Sequence, residues 1–112
     1  MGTRSKSTMK YCLVYVPCSD KAEARKIGKA LLTKKLVACC KLIPIESMYW
    51  WKGKIETNES EIVLMLETRA DKFDDIEKAV IELHSYETPL VFSTSIDRIN
   101  KGAAYWIDTE VE

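Results

Sequence analysis

Five apolar residues stand in a row at Ile62-Val63-Leu64-Met65-Leu66. In an extended strand the side chains alternate between faces, so Ile62, Leu64 and Leu66 look one way and Val63 and Met65 the other. Both faces of the sheet that holds this strand must therefore be kept from water. Every other element of the chain either covers one of those faces or leaves it for a second molecule.

Residues 10–17, Lys-Tyr-Cys-Leu-Val-Tyr-Val-Pro, are β-branched and aromatic and stop at a proline, which predicts a strand apolar enough to be covered on both sides. Asp20 and Glu23 have the spacing of a capping box. Ala24, Ile27, Ala30 and Leu31 then share one side of a helix running to Lys35, with lysines opposite. Gly28, on the apolar side, lets that helix approach the sheet closely. An extended segment follows over 36–51, in which Pro44 denies one ladder hydrogen bond and implies a bulge or an edge. Lys52-Gly53-Lys54 reads as a turn, residues 57–61 as a polar link, and 62–68 as the returning strand of a long hairpin. Phe73, Ile76, Val80 and Leu83 have helical spacing over 73–84, with Asp71, Asp74 and Asp75 near the start, where the helix dipole favours negative charge. Residues 85–89 break that helix and 90–96 form a last strand. Asn100 is placed to cap a short helix carrying Tyr105, Trp106 and Ile107.

The order β-α-β-β-α-β plus a short C-terminal helix predicts the α+β class and a ferredoxin-like sandwich, with two helices on one face of a four-stranded antiparallel sheet. Two helices cover one face only. The other is expected to be closed by further copies of the chain. At 112 residues, a single domain over 10–112 is expected, preceded by a disordered tail at 1–9.

Composition excludes several functions. Seventeen lysines and arginines balance 17 aspartates and glutamates, so there is no basic excess to displace counterions, and nucleic acid is not expected as a partner. No apolar run approaches the about 18 residues that span a bilayer, and the first nine residues lack the apolar stretch of a signal peptide. A cytoplasmic protein with no membrane partner is expected. The four cysteines, at 12, 18, 39 and 40, form no C-x-x-C pair, and Cys39 and Cys40 point to opposite faces of what reads as a core strand. Reduced, buried thiols suit that pattern. No glycine-rich phosphate loop, H-E-x-x-H or nucleophile elbow is present, so neither catalysis nor a required cofactor is expected.

Three motifs carry more specific information. Leu-Val-Ala-Cys-Cys-Lys-Leu-Ile-Pro at 36–44, Tyr-Trp-Trp-Lys-Gly-Lys-Ile-Glu at 49–56 and His-Ser-Tyr-Glu-Thr-Pro at 84–89 resemble, in order and separation, the CutA family of divalent-cation tolerance proteins. The resemblance spans roughly residues 10–107. It implies a ferredoxin-like fold, a homotrimer built through the long hairpin strands, an architecture similar to the PII signalling proteins with ligand clefts between subunits, and a link to copper and other divalent cations. The chain departs from the family pattern at Ser85, where proline is usual, and at Leu90, where glutamate is usual. Ala103 and Ala104 stand in for larger residues. Val16 falls where some bacterial members carry a cysteine proposed to bind copper, and Cys18 lies two residues on, on the same face of a continuing strand.

For a metal, the resemblance therefore points to His84 and Cys18, since copper(I) can be held by two soft ligands. His84 also ends a helix, where the dipole favours an imidazolium without any metal. For a small molecule, Tyr49, Trp50, Trp51, Lys52, Tyr86 and Glu87 are the candidates. With Lys54 and the Arg69 region they line an inter-subunit cleft for an anionic or metal-chelating ligand. The competing reading places Tyr49 and one of the tryptophans in the trimer interface, whose core favours aromatic residues.

Overall fold

A computed structural model describes residues 10–112, and the tail expected at 1–9 lies outside the described residues. In chain order the elements are β1 (Tyr11–Cys18), α1 (Lys21–Thr33), β2 (Cys39–Trp51), β3 (Lys54–Arg69), a 3-10 turn (Ala70–Lys72), α2 (Phe73–Leu83), β4 (Phe92–Ile96) and α3 (Lys101–Glu110). The strands form one antiparallel sheet in the order β2-β3-β1-β4, the ferredoxin-like α+β arrangement. Cys12, Val14, Val16 and Cys18 of β1 and Ile62, Leu64 and Leu66 of β3 are buried with Ala24, Ile27 and Leu31 of α1 and Ile76, Ala79 and Val80 of α2. Each large apolar side chain fully buried there contributes about 1.5–3 kcal/mol.

Local chemistry sets the boundaries of α1. The Asp20 carboxylate accepts the Glu23 N–H at 2.9 Å at the start. At the end, the Leu36 N–H bonds to the Leu31 carbonyl (3.1 Å) and the Lys35 N–H to that of Leu32 (3.0 Å), with Lys35 at φ 60°. This is a Schellman closure with lysine where glycine is usual. Residues 36–38, predicted as strand, are spent in leaving that closure, and β2 begins only at Cys39. Gly28 brings α1 onto the sheet, since a Cβ there would lie 2.4 Å from Cys40 Sγ. β2 is an edge strand, so Cys39 and Cys40 are half-buried and not the core thiols expected.

The hairpin closes through Lys52 (φ 51°) and Gly53 (φ 83°), a two-residue type I′ turn whose twist suits antiparallel strands. Its returning strand starts at Lys54, so the predicted link at 57–61 is strand, held by pairing with β2 despite its polar sequence. Pro44 sits on the sheet edge, as a residue without an N–H requires. A bulge follows close by. Ile45 pairs with Glu61 and Ser47 with Asn58, so Glu59 and Ser60 together oppose Glu46. The Asn58 side-chain oxygen accepts the Ser60 N–H at 2.8 Å within it. Pairing of β3 with β1 ends at Ile62, and beyond it β2 and β3 run on as a two-stranded ribbon in a molecule of 55 × 25 × 22 Å.

The second face of the sheet is only partly covered. Tyr15, Met65 and Phe92 form one row across it, with Tyr15 and Phe92 stacked at 5.0 Å, and Pro17, Val63 and Ile43 form the next. The α3 helix closes one end. The Tyr11 hydroxyl donates to Asp108 at 2.7 Å, the Arg69 guanidinium donates to the Val111 carbonyl at 3.0 Å, and Ile107 and Val111 are buried. Asn100 occupies the cap position of α3, but its side chain makes no capping bond. No helix of the described residues is long and apolar enough to cross a membrane.

Candidate functional site

Three chain segments converge where β1 ends. Cys18 is its last residue, Glu23 lies in the first turn of α1 and His84 immediately follows α2. Their Sγ, carboxylate and imidazole atoms lie within 4.8 Å of one another. His84 Nε2 lies 2.7 Å from the Pro17 carbonyl, and Nδ1 accepts the Tyr86 N–H at 3.1 Å. The Glu23 carboxylate lies 3.8 Å from the same Nδ1.

Glu23 does more than cap. Its Oε1 accepts the Ser19 N–H (2.8 Å) and Ser19 hydroxyl (3.0 Å), and its Oε2 accepts the Ser85 N–H at 2.6 Å. Burial alone would raise its pKa, but these bonds from Ser19 and Ser85 stabilise the ionised form and hold it at about 2. The Cys18 thiol is pushed the other way, to about 12, by burial and then by the Glu23 charge beside it. Its Sγ donates to the Val16 carbonyl at 3.5 Å. Val16 and Cys18 share the buried face of β1, as the strand register expected from sequence requires.

Next to this cluster opens a cleft of about 710 Å³. The hairpin contributes Tyr49, Trp50 and Trp51, and the loop after α2 contributes Ser85, Tyr86, Glu87, Thr88 and Leu90; Pro17, Ile45, Ser47 and Glu61 complete it. Glu61 is only 6% exposed. Its oxygens accept the Ser47 hydroxyl at 2.6 Å and the Tyr86 hydroxyl at 2.8 Å. Burial, then the bond to Glu61, raises the pKa of Tyr86 far above its ordinary value. The bulge matters here: by adding one residue to β3 it turns both Glu61 and Asn58 toward Tyr86, and the Asn58 amide reaches that hydroxyl at 3.5 Å.

The structure thus brings Cys18 to His84, and Tyr49, Trp50, Trp51, Tyr86 and Glu87 to one cleft. Lys52 lies outside the lining, 3.5 Å from Glu87 and over the Trp51 ring at 5.4 Å. Arg69 is at the other end of β3, bonded to Asp71 and to the C-terminal carbonyls of Val111 and Glu112. The lining holds two carboxylates, Glu61 and Glu87, and no basic side chain, which opposes the anionic ligand anticipated from the lysines. Glu23 and Glu61 were missing from the sequence-derived sites. The one signal for Glu61 is a carboxylate abutting the apolar run at 62–66, and Glu23 was legible only as a cap.

An antiparallel β2-β3-β1-β4 sheet with two helices on one face, drawn out into a ribbon beside a cleft, defines a ferredoxin-like α+β protein. The profile of the CutA1 divalent ion tolerance protein family matches residues 12–110, and the chain belongs to that family. The divalent-cation tolerance protein CutA of Archaeoglobus fulgidus is 40% identical over 99 residues, covering 88% of this chain and 96% of that one. Its namesake from Thermococcus kodakarensis is 33% identical over 99 residues, covering 88% and 94%. Among solved structures, the periplasmic divalent cation tolerance protein CutA from Archaeoglobus fulgidus superposes with a TM-score of 0.87 at 39% identity, covering 91% of this chain and 99% of that one. CutA1 from Oryza sativa gives 0.88 at 30% identity, covering 95% and 97%.

Proposed function

We propose that this chain is a non-enzymatic, cytoplasmic homotrimer that takes part in divalent metal tolerance and binds copper or a similar cation weakly through Cys18, Glu23 and His84. The observation that carries the metal reading is the approach of a thiol, a carboxylate and an imidazole to within 4.8 Å of one another. A donor set of that kind suits copper and other soft or borderline cations. All three groups already have partners. A bound ion has to displace Tyr86 or Pro17 from the imidazole, and it meets a Glu23 carboxylate that already accepts three hydrogen bonds from Ser19 and Ser85. It also has to remove a thiol proton that burial holds up to pH about 12. Affinity is therefore low and rises with pH. Copper titration by calorimetry tests this: one equivalent per chain is expected, lost in His84→Ala, and unchanged uptake by the variant removes His84 from the site.

The trimer is supported by the partly exposed row of Tyr15, Met65 and Phe92 and by the exposed Met48 and Ile55 of the ribbon. Four free cysteines, two of them buried, accord with a reducing compartment.

A second reading is favoured by the cleft itself: a sensor of PII-like architecture that binds a small molecule between subunits. Its volume lies in the range of small-molecule sites. A ligand-dependent melting shift of the metal-free protein, abolished by Trp51→Ala, is the expected result, and no shift across a broad metabolite panel would count against it.

A further inference from the structure

Glu61 is a carboxylate in the wrong place for a purely structural role. It is 6% exposed, and among the described residues no lysine, arginine or histidine pairs with it. Two hydroxyls, from Ser47 and Tyr86, donate to it at 2.6 and 2.8 Å, one to each oxygen. An ionised carboxylate has about four acceptor positions, so these bonds leave part of its capacity unused. Two neutral donors also leave its charge uncompensated, and an unpaired charge taken out of water is costly. The cleft lining that Glu61 shares is rich in aromatic side chains, Tyr49, Trp50, Trp51 and Tyr86. Ring faces attract cations and have no comparable affinity for anions. The nearby Lys52 does not serve as counter-ion, since it stands outside the lining and pairs with Glu87.

From this arrangement we infer that the cleft binds a small organic ammonium ion, its cationic head between Glu61 and the aromatic rings and its apolar body along Leu90 and the hairpin wall. The inference rests on reading the cleft as a ligand site and adds the chemical class of the ligand. A quaternary head needs no hydrogen-bond acceptor and is held by charge and ring faces alone. A primary or secondary ammonium can also donate to the acceptor positions of Glu61 that Ser47 and Tyr86 leave unused. Inorganic divalent ions are less well served here, because of the two lining carboxylates Glu87 is paired with Lys52 and Glu61 already accepts from Ser47 and Tyr86.

The test uses the assembled, metal-free full chain and follows tryptophan fluorescence and calorimetric heats with three probes. These are choline, its uncharged carbon isostere 3,3-dimethyl-1-butanol, and benzyltrimethylammonium. Both cations are expected to bind, with the neutral isostere weaker by about tenfold or more. Glu61→Gln is expected to reduce that preference, leaving only the part that the ring faces supply. Tyr49→Leu, which leaves the buried Glu61 cluster intact, is expected to weaken both cations more than the isostere, so the inference stays testable if Glu61→Gln does not fold. Equal binding of choline and its isostere to the parent protein would keep a ligand cleft and overturn the ammonium class. No binding of any probe to the folded protein would overturn the ammonium inference, and a simultaneous failure of neutral and anionic metabolites would remove the cleft reading as well.

Discussion

The carboxylate of Glu23 accepts the N–H of Ser85 at 2.6 Å, tying the first turn of α1 to the loop that follows α2, 62 residues away. Its pKa in the fold, about 2, lies below its ordinary value of 4.5. A depressed carboxyl pKa contributes stability that is complete above the unfolded value and is lost as pH falls through the folded one. The window is therefore about pH 4.5 down to about 2, and the contribution is up to ~3 kcal/mol. Glu23→Gln should lower stability at pH 7 by about 2–3 kcal/mol and flatten the acid limb of a urea-unfolding profile. An acid limb identical to that of the parent would contradict this account.

Gly28 lets α1 lie close against β2 and β3 of the sheet. A methyl group there would meet Cys40 Sγ at 2.4 Å. Gly28→Ala should therefore destabilise by about 1–3 kcal/mol, although alanine is the better helix former. Cys40→Ala in the same chain removes the obstructing sulfur and should restore most of the loss. Chemical denaturation of the four members of the cycle measures the coupling.

Lys35 occupies a left-handed conformation at φ 60°. Its side chain makes only an exposed ion pair with Glu110 at 3.8 Å, and the bond it accepts from Glu112 is to its main-chain carbonyl. Lys35→Gly should stabilise the protein by about 0.5–1 kcal/mol, relief of the Cβ clash outweighing the extra entropy of glycine in the unfolded chain. Thermal melts of the two proteins provide the comparison, and a lower melting point for the glycine variant would refute it.

If three chains close the open sheet face, the melting temperature should climb with protein concentration by mass action, and light scattering should report three times the chain mass. Met65→Lys, at the middle of the partly exposed row, should dissociate the assembly while leaving the monomer folded. A concentration-independent melt with monomeric mass would rule the trimer out.

Much of the fold was legible because alternation and helical spacing survive in the residues themselves: Val14, Val16, Leu64, Leu66, Ile76 and Val80 fell where burial requires. The ribbon between Lys54 and Glu61 was not, because polar residues such as Thr57, Asn58 and Glu59 become strand only through their pairing with β2. The site followed the same division. Tyr49, Trp50, Trp51 and Tyr86 announce a cleft by type, but the burial of Glu61 depends on Ser47 and Tyr86 arriving from elsewhere in the chain. Lys52 looked like a ligand group because it adjoins the tryptophans in sequence, and its neutralisation by Glu87 is visible only in three dimensions.

The position of β1 has a consequence in the time domain of synthesis. Among the described residues it is the first strand made, yet its partners are β3, through Tyr11 and Arg69, and β4, through Tyr11 and Ile96. The β2–β3 ribbon, by contrast, closes over two residues and can zip within microseconds of leaving the ribosome. At about 5–20 residues per second, β1 waits several seconds for its first neighbour and longer for its second. Cys12, Val14, Val16 and Cys18 spend that interval without the sheet that later encloses them.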